Sequence, residues 1–248
     1  MSESAVRVVV VHPDLLGTYG DGGNGVILAR RLEWRAVPVE LISAPSGSPL
    51  PDSCDVYCLG GGEDSPQVRA AVELADGRPL ARAVERGAAV LAVCAGFQVL
   101  GTSFIGPGGA EHPGLGLIDV RTVRGSGPRA VGELVAEPLD GSPMLTGYEN
   151  HASATERGPG VAPLGRVVSG VGNGAGDGTE GAVAGKVFCT YMHGPVLARN
   201  PALADRILTA VVGGELAPLD DSEHEALRAE RLSAVPDAAA GRRRGRRA

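Results

Sequence analysis

Residues 88–98, AAVLAVCAGFQ, decide how the rest of the chain is interpreted. The apolar run Ala88–Val93 predicts a buried strand that leads directly into Cys94, and the small residues after it predict the start of a helix. Such a sharp turn lifts a nucleophile above the sheet, because small neighbours let the backbones pack closely. A structural cysteine buried at a strand end is the alternative for an isolated cysteine, and this context favours the nucleophile.

The helix predicted over Gly96–Ser103 would assist that nucleophile in two ways. The positive end of its dipole favours a thiolate. Its free backbone N–H groups, beginning near Ala95, can stabilise a developing oxyanion. Gln98 is a candidate for substrate binding from the same helix, although a structural place within the helix is the favoured alternative.

Upstream of this turn, short apolar strands alternate with helical patterns. The predicted strands are Ala5–Val11, Val37–Ile42 and Asp55–Leu59, and the predicted helices are Val26–Arg35 and Ser65–Arg86, the second broken near Gly77-Arg78-Pro79. This order predicts an α/β fold with a doubly wound, mostly parallel sheet. Functional groups in such sheets lie past the carboxyl ends of the strands.

The second half of the chain predicts mixed or antiparallel strands added to that sheet. They cover Leu117–Val123, Val131–Ala136, Leu145–Tyr148 and Gly165–Gly170, and Val187–Met192 is predicted as another apolar strand that ends at His193. Asn200-Pro201 predicts the start of a helix that runs to about Val212, with the asparagine as its cap. Ser222–Ser233 predicts a last helix.

Composition excludes several classes of protein. The formal net charge of −6, with five arginines in the last seven residues, argues against a nucleic-acid groove across the fold. The N-terminus does not resemble a secretory leader, and no apolar run is long enough to span a bilayer. We therefore expect a cytoplasmic protein with reduced thiols. Cys54 and Cys58 have no second pair to complete a zinc site, so they are expected to pack in a strand, and no metal is expected.

His193 is the candidate base for Cys94. Of the five histidines it is the one that ends an apolar strand, in Tyr191–Pro195, whereas the others lie beside turns or in a polar helix: His12, His112, His151 and His224. A histidine at a strand end is expected over the same edge as Cys94, where it can take the thiol proton and later protonate the leaving group. A capping histidine in a strand-to-loop turn is the alternative.

The glycine triplet Gly60–Gly62 follows the third predicted strand. Glycine lets backbone N–H groups point at a negatively charged oxygen, so Gly61 and Gly62 are candidates for the second oxyanion donor. A flexible turn is the alternative.

Together, Gly60–Asp64, the Cys94 turn with Gln98, and Tyr191–Pro195 resemble the class I, triad-type glutamine amidotransferases. In most of that family a glutamate two residues after the histidine orients the base, but here His193 is followed by Gly194-Pro195. This departure resembles the cobyric acid synthase-like branch. Within that branch the chain is similar to the glutaminase subunits of lipid II isoglutaminyl synthases (GatD-type), with further matches at 19–24, 129–133 and 148–151.

The resemblance implies roles that spacing does not show. The composition of residues 234–248 predicts a disordered Arg-rich tail, whereas the resemblance, which spans roughly Arg7 to Val212, implies a glutamine amidotransferase domain that we assign to residues 1–233. The resemblance implies that Asp21 orients His193, with a turn aspartate as the open alternative. It also implies that Arg129 binds the α-carboxylate of L-glutamine, where a two-pronged ion pair suits a guanidinium, with a solvated arginine as the alternative.

The resemblance also implies a partner. This would be a Mur ligase-like (MurT-type) subunit that binds ATP and activates D-glutamate of the lipid II stem peptide, so that ammonia released here amidates it. No cofactor is expected in this chain, whose sequence has no GxxxxGK[ST] loop. The Arg-rich tail is expected either to be solvated or to contact anionic lipid at the inner face of the membrane. Two alternatives stay open: a glutaminase for a cofactor pathway such as cobyric acid synthesis, and a non-catalytic binding module.

Overall fold

The computed structural model describes residues 4–235, and a six-stranded sheet forms its centre. Numbered in chain order, the strands of this sheet are β1 (Val6–Val11), β2 (Val39–Ala44), β3 (Val56–Leu59), β4 (Ala89–Val93), β13 (Ala182–Ala184) and β14 (Val187–Thr190). They lie in the order β13-β14-β4-β3-β1-β2, and only β13 is antiparallel to its neighbour. The predicted mostly parallel sheet is confirmed.

The central strands are buried on both faces, which explains their continuous apolar sequences. All residues of β3, β4 and β14 are buried. The register places Leu59 beside Ala92 and Thr190 beside Val93. The segments that follow β3, β4 and β14 therefore leave the sheet at the same edge.

Six of the seven α-helices in the described residues form two groups, and the last one packs on a strand of the second half. The helices are α1 (Gly23–Glu33), α2 (Asp64–Ala75), α3 (Pro79–Glu85), α4 (Ala95–Leu100), α5 (Val196–Arg199), α6 (Pro201–Val212) and α7 (Ser222–Ala234). Helix α1 packs with α5 and α6, whereas α2 packs with α3 and α4. The predicted break near Pro79 is confirmed, because α2 ends at Ala75 and α3 begins at Pro79. Proline suits this first helical position, where its missing N–H would have no partner within the helix.

Two details of the predicted helices are wrong. Helix α4 ends at Leu100 and not at Ser103, because Gly101 is extended and passes so close to Val120 that an added Cβ would lie 2.7 Å from its carbonyl oxygen. Asn200 precedes α6 as predicted, but its side chain does not cap that helix. Its amide instead bonds the backbone of Thr146 through both ends, at 2.9 and 2.8 Å, and so ties α6 to a strand of the second half.

The second half of the chain forms two further four-stranded sheets. Their strands are β5 (Ser103–Ile105), β6 (Glu111–Pro113), β7 (Val120–Arg124), β8 (Ala130–Pro138), β9 (Leu145–His151), β10 (Ser153–Arg157), β11 (Gly165–Ser169) and β12 (Thr179–Glu180). The orders are β10-β7-β5-β6 and β12-β11-β8-β9. Mixed and antiparallel strands in the second half are thus confirmed, but the expectation that they extend the central sheet is wrong for the four predicted strands between Leu117 and Gly170. The predicted strand Val187–Met192 does join the central sheet, as β14, and β13, which was not predicted, pairs with its outer side.

The last helix, α7, reaches Ala234, one residue beyond the predicted domain boundary. The rest of the predicted Arg-rich tail, from residue 236 onward, lies outside the described residues. Within residues 4–235, no helix combines the length and the apolar character needed to cross a membrane.

Candidate active site

Cys94 lies in a strained turn between β4 and α4. Its φ is +50° and its ψ is −105°, a region that L-residues rarely adopt and that is often found at functional sites. The turn needs glycine at position 96, because the backbone there passes close to β3. An added Cβ would lie 2.8 Å from the Cβ of Leu59. The strand-to-helix turn predicted from the sequence is therefore present.

The other three cysteines have raised pKa values. All four are free and buried, but burial raises the pKa of Cys58 to about 12, and burial also raises the pKa of Cys189 and Cys54. A thiolate is the reactive form of cysteine, so these three remain protonated at neutral pH. Cys58 lies within β3, which agrees with the predicted packing role. No group of His, Cys, Asp or Glu in residues 4–235 could hold a metal ion.

His193 and Asp21 form a buried hydrogen-bonded pair. His193 Nδ1 donates to Asp21 Oδ2 at 2.8 Å, and each residue is only 1% exposed. The same carboxylate accepts the N–H of Gly61 at 2.8 Å and of Gly194 at 3.3 Å. Asp21 therefore has the position from which a carboxylate can fix the tautomer and the orientation of a histidine base. The sequence left this placement open.

His193 also has an unusual protonation equilibrium. Burial disfavours the charged ring, but the hydrogen bond to Asp21 and the neighbouring Cys94 outweigh burial and raise the pKa of His193 to about 10. Its Nε2 is buried without a hydrogen-bond partner among the described residues. The ring therefore holds its proton at neutral pH, and Nε2 is the nitrogen from which that proton can be transferred to a substrate.

A cavity of about 510 Å³ brings most of the predicted site residues together. Its lining includes six of them: Gly62, Cys94, Ala95, Gln98, Arg129 and His193. Asp21 lies behind His193 and is absent from the lining. The cavity is large enough for a free amino acid, since small-molecule sites are commonly about 300–1,000 Å³.

The prediction for Gly61 as an oxyanion donor is wrong. Its N–H already donates to Asp21, so it cannot also bind a substrate oxygen. Glycine is required at this position for another reason, because an added Cβ would lie 2.4 Å from His193 Cε1. Gly62 and Ala95 differ from Gly61 here: their N–H groups have no acceptor among the described residues, and both line the cavity.

Arg129 lies at the rim of the cavity and is exposed. Its Nε donates to Asn150 Oδ1 at 2.6 Å, and its Nη2 lies 3.4 Å from the Asn150 carbonyl oxygen. Its Nη1 has no partner among the described residues and could meet a carboxylate. A second arginine, Arg124, lines the same cavity and was missed, since nothing in its local sequence distinguishes it from other exposed arginines.

Gln98 lines the cavity, but its amide is already engaged. Its oxygen accepts from Gln67 at 2.8 Å, and its nitrogen donates to Ser153 at 3.1 Å and to Tyr191 at 3.3 Å. This hydrogen bonding favours the structural alternative over direct substrate binding.

Several residues of the cavity were not assigned a role from the sequence. His151 was expected beside a turn, but it ends β9, lines the cavity and stacks on Tyr191 with ring centroids 4.0 Å apart. Tyr19 and Asn150 also line it. The family resemblance included residues 148–151 and so pointed to this segment. Strand spacing alone could not show which of its side chains face the cavity.

The chain matches a family model described as the CobB/CobQ-like glutamine amidotransferase domain over residues 7–201. It is 34% identical to the lipid II isoglutaminyl synthase subunit GatD of Staphylococcus aureus, over 85% of this chain and 86% of that protein. The corresponding subunit of Streptococcus pneumoniae is 31% identical, over 84% and 80%. Cobyric acid synthase of Brucella canis is 34% identical, but over 63% of this chain and only 32% of its own length.

Solved structures agree on the fold. A crystal structure of a glutamine amidotransferase covers 83% of this chain and 98% of its own, with a TM-score of 0.57 and 21% identity. The glutaminase domain of a Trypanosoma brucei CTPS covers 86% and 96%, with a TM-score of 0.50 and 12% identity.

Proposed function

Because this chain belongs to the CobB/CobQ-like glutamine amidotransferase family, we propose that it is the glutaminase subunit of a lipid II isoglutaminyl synthase. Support comes from the two relatives with that name, which match this chain over at least 80% of their own lengths. Cobyric acid synthase supports the alternative cofactor pathway less well, because two thirds of that protein has no counterpart in the match.

The proposed chemistry begins with Cys94 and His193. His193 holds the proton of the Cys94–His193 pair on Nε2, in keeping with its pKa of about 10, and Cys94 Sγ attacks the side-chain amide carbon of L-glutamine as the thiolate. The proton then passes from His193 to the leaving nitrogen as the C–N bond breaks, which releases ammonia and leaves a glutamyl thioester. Water then attacks the thioester and gives a proton to His193, which releases glutamate and restores the Cys94 thiolate beside the protonated ring. The observation that carries this assignment is the 2.8 Å bond from His193 to Asp21, which leaves Nε2 unpaired beside the Cys94 cavity.

The tetrahedral intermediate carries a negative oxygen, for which Gly62 and Ala95 are the proposed donors. Preorganised N–H groups stabilise such an oxygen because they need no reorganisation as the charge develops. Arg129 is the proposed contact of the glutamine α-carboxylate, through the guanidinium edge that Asn150 leaves unbonded.

The proposed partner is a Mur ligase-like (MurT-type) subunit. It would bind ATP, activate the D-glutamate α-carboxylate of lipid II and use the ammonia released here. The names of the relatives as subunits of a synthase support a partner in general terms. A location in the cytoplasm, at the inner face of the membrane where lipid II is made, follows from the same proposal.

The test is glutamate release from L-glutamine by the wild type, Cys94→Ala and His193→Ala, each with and without the co-expressed partner. We expect activity in the wild type and its loss in both variants. The complex is then given lipid II, glutamine and ATP, and amidated lipid II is measured by mass spectrometry. Amidation of a corrin acid but not of lipid II would favour the cofactor pathway. Equal inactivity of all three proteins in both settings would favour a binding module.

A further inference from the structure

Tyr19 has an unusual conformation at the rim of the cavity. It lies between β1 and α1 with a φ of +60°, which is rare for a bulky residue, and it remains 46% exposed. Its ring packs edge-on against His193, with centroids 4.9 Å apart, and against Tyr148 at 5.6 Å. A strained and half-exposed aromatic residue is not explained by burial of apolar surface.

Asn150 connects Tyr19 to Arg129. Its Nδ2 donates to the hydroxyl oxygen of Tyr19, and its Oδ1 accepts from Arg129 Nε at 2.6 Å. A guanidinium only donates, so the oxygen end of the Asn150 amide faces Arg129 and the nitrogen end is left to donate to the Tyr19 hydroxyl, which holds the amide in that position. The backbone of Asn150 is held in β9 opposite Val131. These contacts form a continuous row from the guanidinium to the ring of the base.

We propose that Tyr19 and Asn150 are positioning residues that hold Arg129 for the glutamine α-carboxylate and couple it to the His193 side of the site. This inference rests on the proposed glutaminase function. An exposed arginine loses side-chain entropy when it is fixed, and the bond from Arg129 to Asn150 restricts the guanidinium before substrate binds. Tyr19 orients Asn150 through its hydroxyl group and covers His193 through its ring.

The two parts of Tyr19 can be separated by substitution. Tyr19→Phe keeps the ring over His193 and removes the bond to Asn150. Asn150→Ala removes the bond to Arg129 and leaves Tyr19. Tyr148→Phe is the matched control, because the Tyr148 ring also contacts Tyr19 but its hydroxyl has no hydrogen bond in the described part of the chain.

Two electrophiles that label Cys94 provide the readout. A chloroketone analogue of L-glutamine keeps the α-amino and α-carboxylate groups, whereas iodoacetamide lacks both. For Asn150→Ala and Tyr19→Phe we expect the chloroketone concentration at half-maximal labelling rate to rise about tenfold, as for loss of a hydrogen bond to a charged group. Iodoacetamide labelling should stay within about twofold of the wild type, and Tyr148→Phe should match the wild type with both reagents.

The double variant Tyr19→Phe/Asn150→Ala completes the test. If the two residues act through the same row of contacts, the double variant should need no more chloroketone for half-maximal labelling than the worse single variant. If they act independently, the two losses of apparent affinity should add in free energy. Wild-type chloroketone labelling in both single variants, a parallel fall in iodoacetamide labelling, or additive losses would overturn the inference. If the chloroketone fails to label the wild type, or labels Cys94→Ala equally, the proposed glutaminase function itself fails.

Discussion

Two clusters of buried charge differ in what they leave unbonded. At the carboxyl edge of the central sheet, His193 and Asp21 are paired, but His193 Nε2 has no partner among the described residues. On the far side of α1, Arg31 is 2% exposed, and its Nε, Nη1 and Nη2 all bond the carboxylates of Asp205 and Asp221 at 2.7–2.8 Å.

The two clusters therefore serve different purposes. The Arg31 cluster connects α1 to α6 and to the residue that precedes α7, and it leaves nothing with which to bind a ligand. Its bonds outweigh the effect of burial and raise the pKa of Arg31, while the Arg31 hydrogen bond lowers the pKa of Asp221. A satisfied cluster stabilises the fold, whereas an incomplete one provides a group for chemistry. Variants of the first should change stability, and variants of the second should change activity.

The largest expected effect is at Cys94. Cys94→Ala removes the proposed nucleophile and should lower glutaminase activity at least about 10³-fold without changing the melting temperature by more than a few degrees. Glutamate release and thermal unfolding check both parts. Cys54→Ala, at a buried cysteine outside the cavity, is the control and should remain active. Substantial activity in Cys94→Ala would remove the basis for assigning chemistry to this edge of the sheet.

Asp21→Asn should have the next largest effect, lowering activity about 100-fold through loss of a charge-assisted bond to the base. Asp21 raises the pKa of His193, so the ring keeps its proton until about pH 10 in the wild type. Without that charge the pKa falls, and the alkaline limb of the pH–activity profile should move to lower pH. Asp14→Asn, in the same loop but bonded to Ser46, is the control. An unmoved alkaline limb would show that Asp21 does not act through His193.

Arg31→Leu should lower the free energy of unfolding by about 3 kcal/mol, because it removes one partner of a buried ion pair. Activity per folded molecule should be unchanged. Denaturant unfolding and active-site titration measure the two quantities. The neighbouring Arg30→Leu is the matched control: Arg30 is exposed and pairs with Glu33, so its removal should cost under about 0.5 kcal/mol.

Arg31→Leu should also change how the free energy of unfolding depends on pH under acidic conditions. The pKa of Asp221 is lowered in the folded state, so its stabilising effect is present above its ordinary pKa, near 4, and is lost as pH falls through the folded value. Arg31→Leu should weaken this dependence. An Arg31→Leu protein with wild-type stability at every pH would contradict the structural purpose of the cluster.

Gly61→Ala should give the smallest of these effects, about a tenfold loss of activity with a small change in stability. The added Cβ would lie 2.4 Å from His193 Cε1 and must displace the ring. Gly214→Ala, where an added Cβ meets open space, is the matched control. Full activity in Gly61→Ala would mean that the site tolerates movement of His193.

The residues that sequence analysis found share one property, a local signal. Cys94 lies between an apolar strand and a run of small residues, and His193 ends an apolar strand, so periodicity and turn chemistry were sufficient to find both. The mostly parallel sheet followed from alternating strands and helices. The two separate sheets of the second half did not follow, because strand pairing there depends on contacts between distant residues.

The sequence by itself determined a parallel α/β sheet with Cys94 and His193 at its carboxyl edge, since each follows from residues next to one another in the chain. Only the tertiary structure decided that Asp21 bonds a histidine 172 residues away, that Gly61 gives its N–H to that aspartate, and that Asn150 bonds Tyr19 across 131 residues. Such bonds depend on strand order, on register and on fractions of an ångström between backbones, which no local pattern contains.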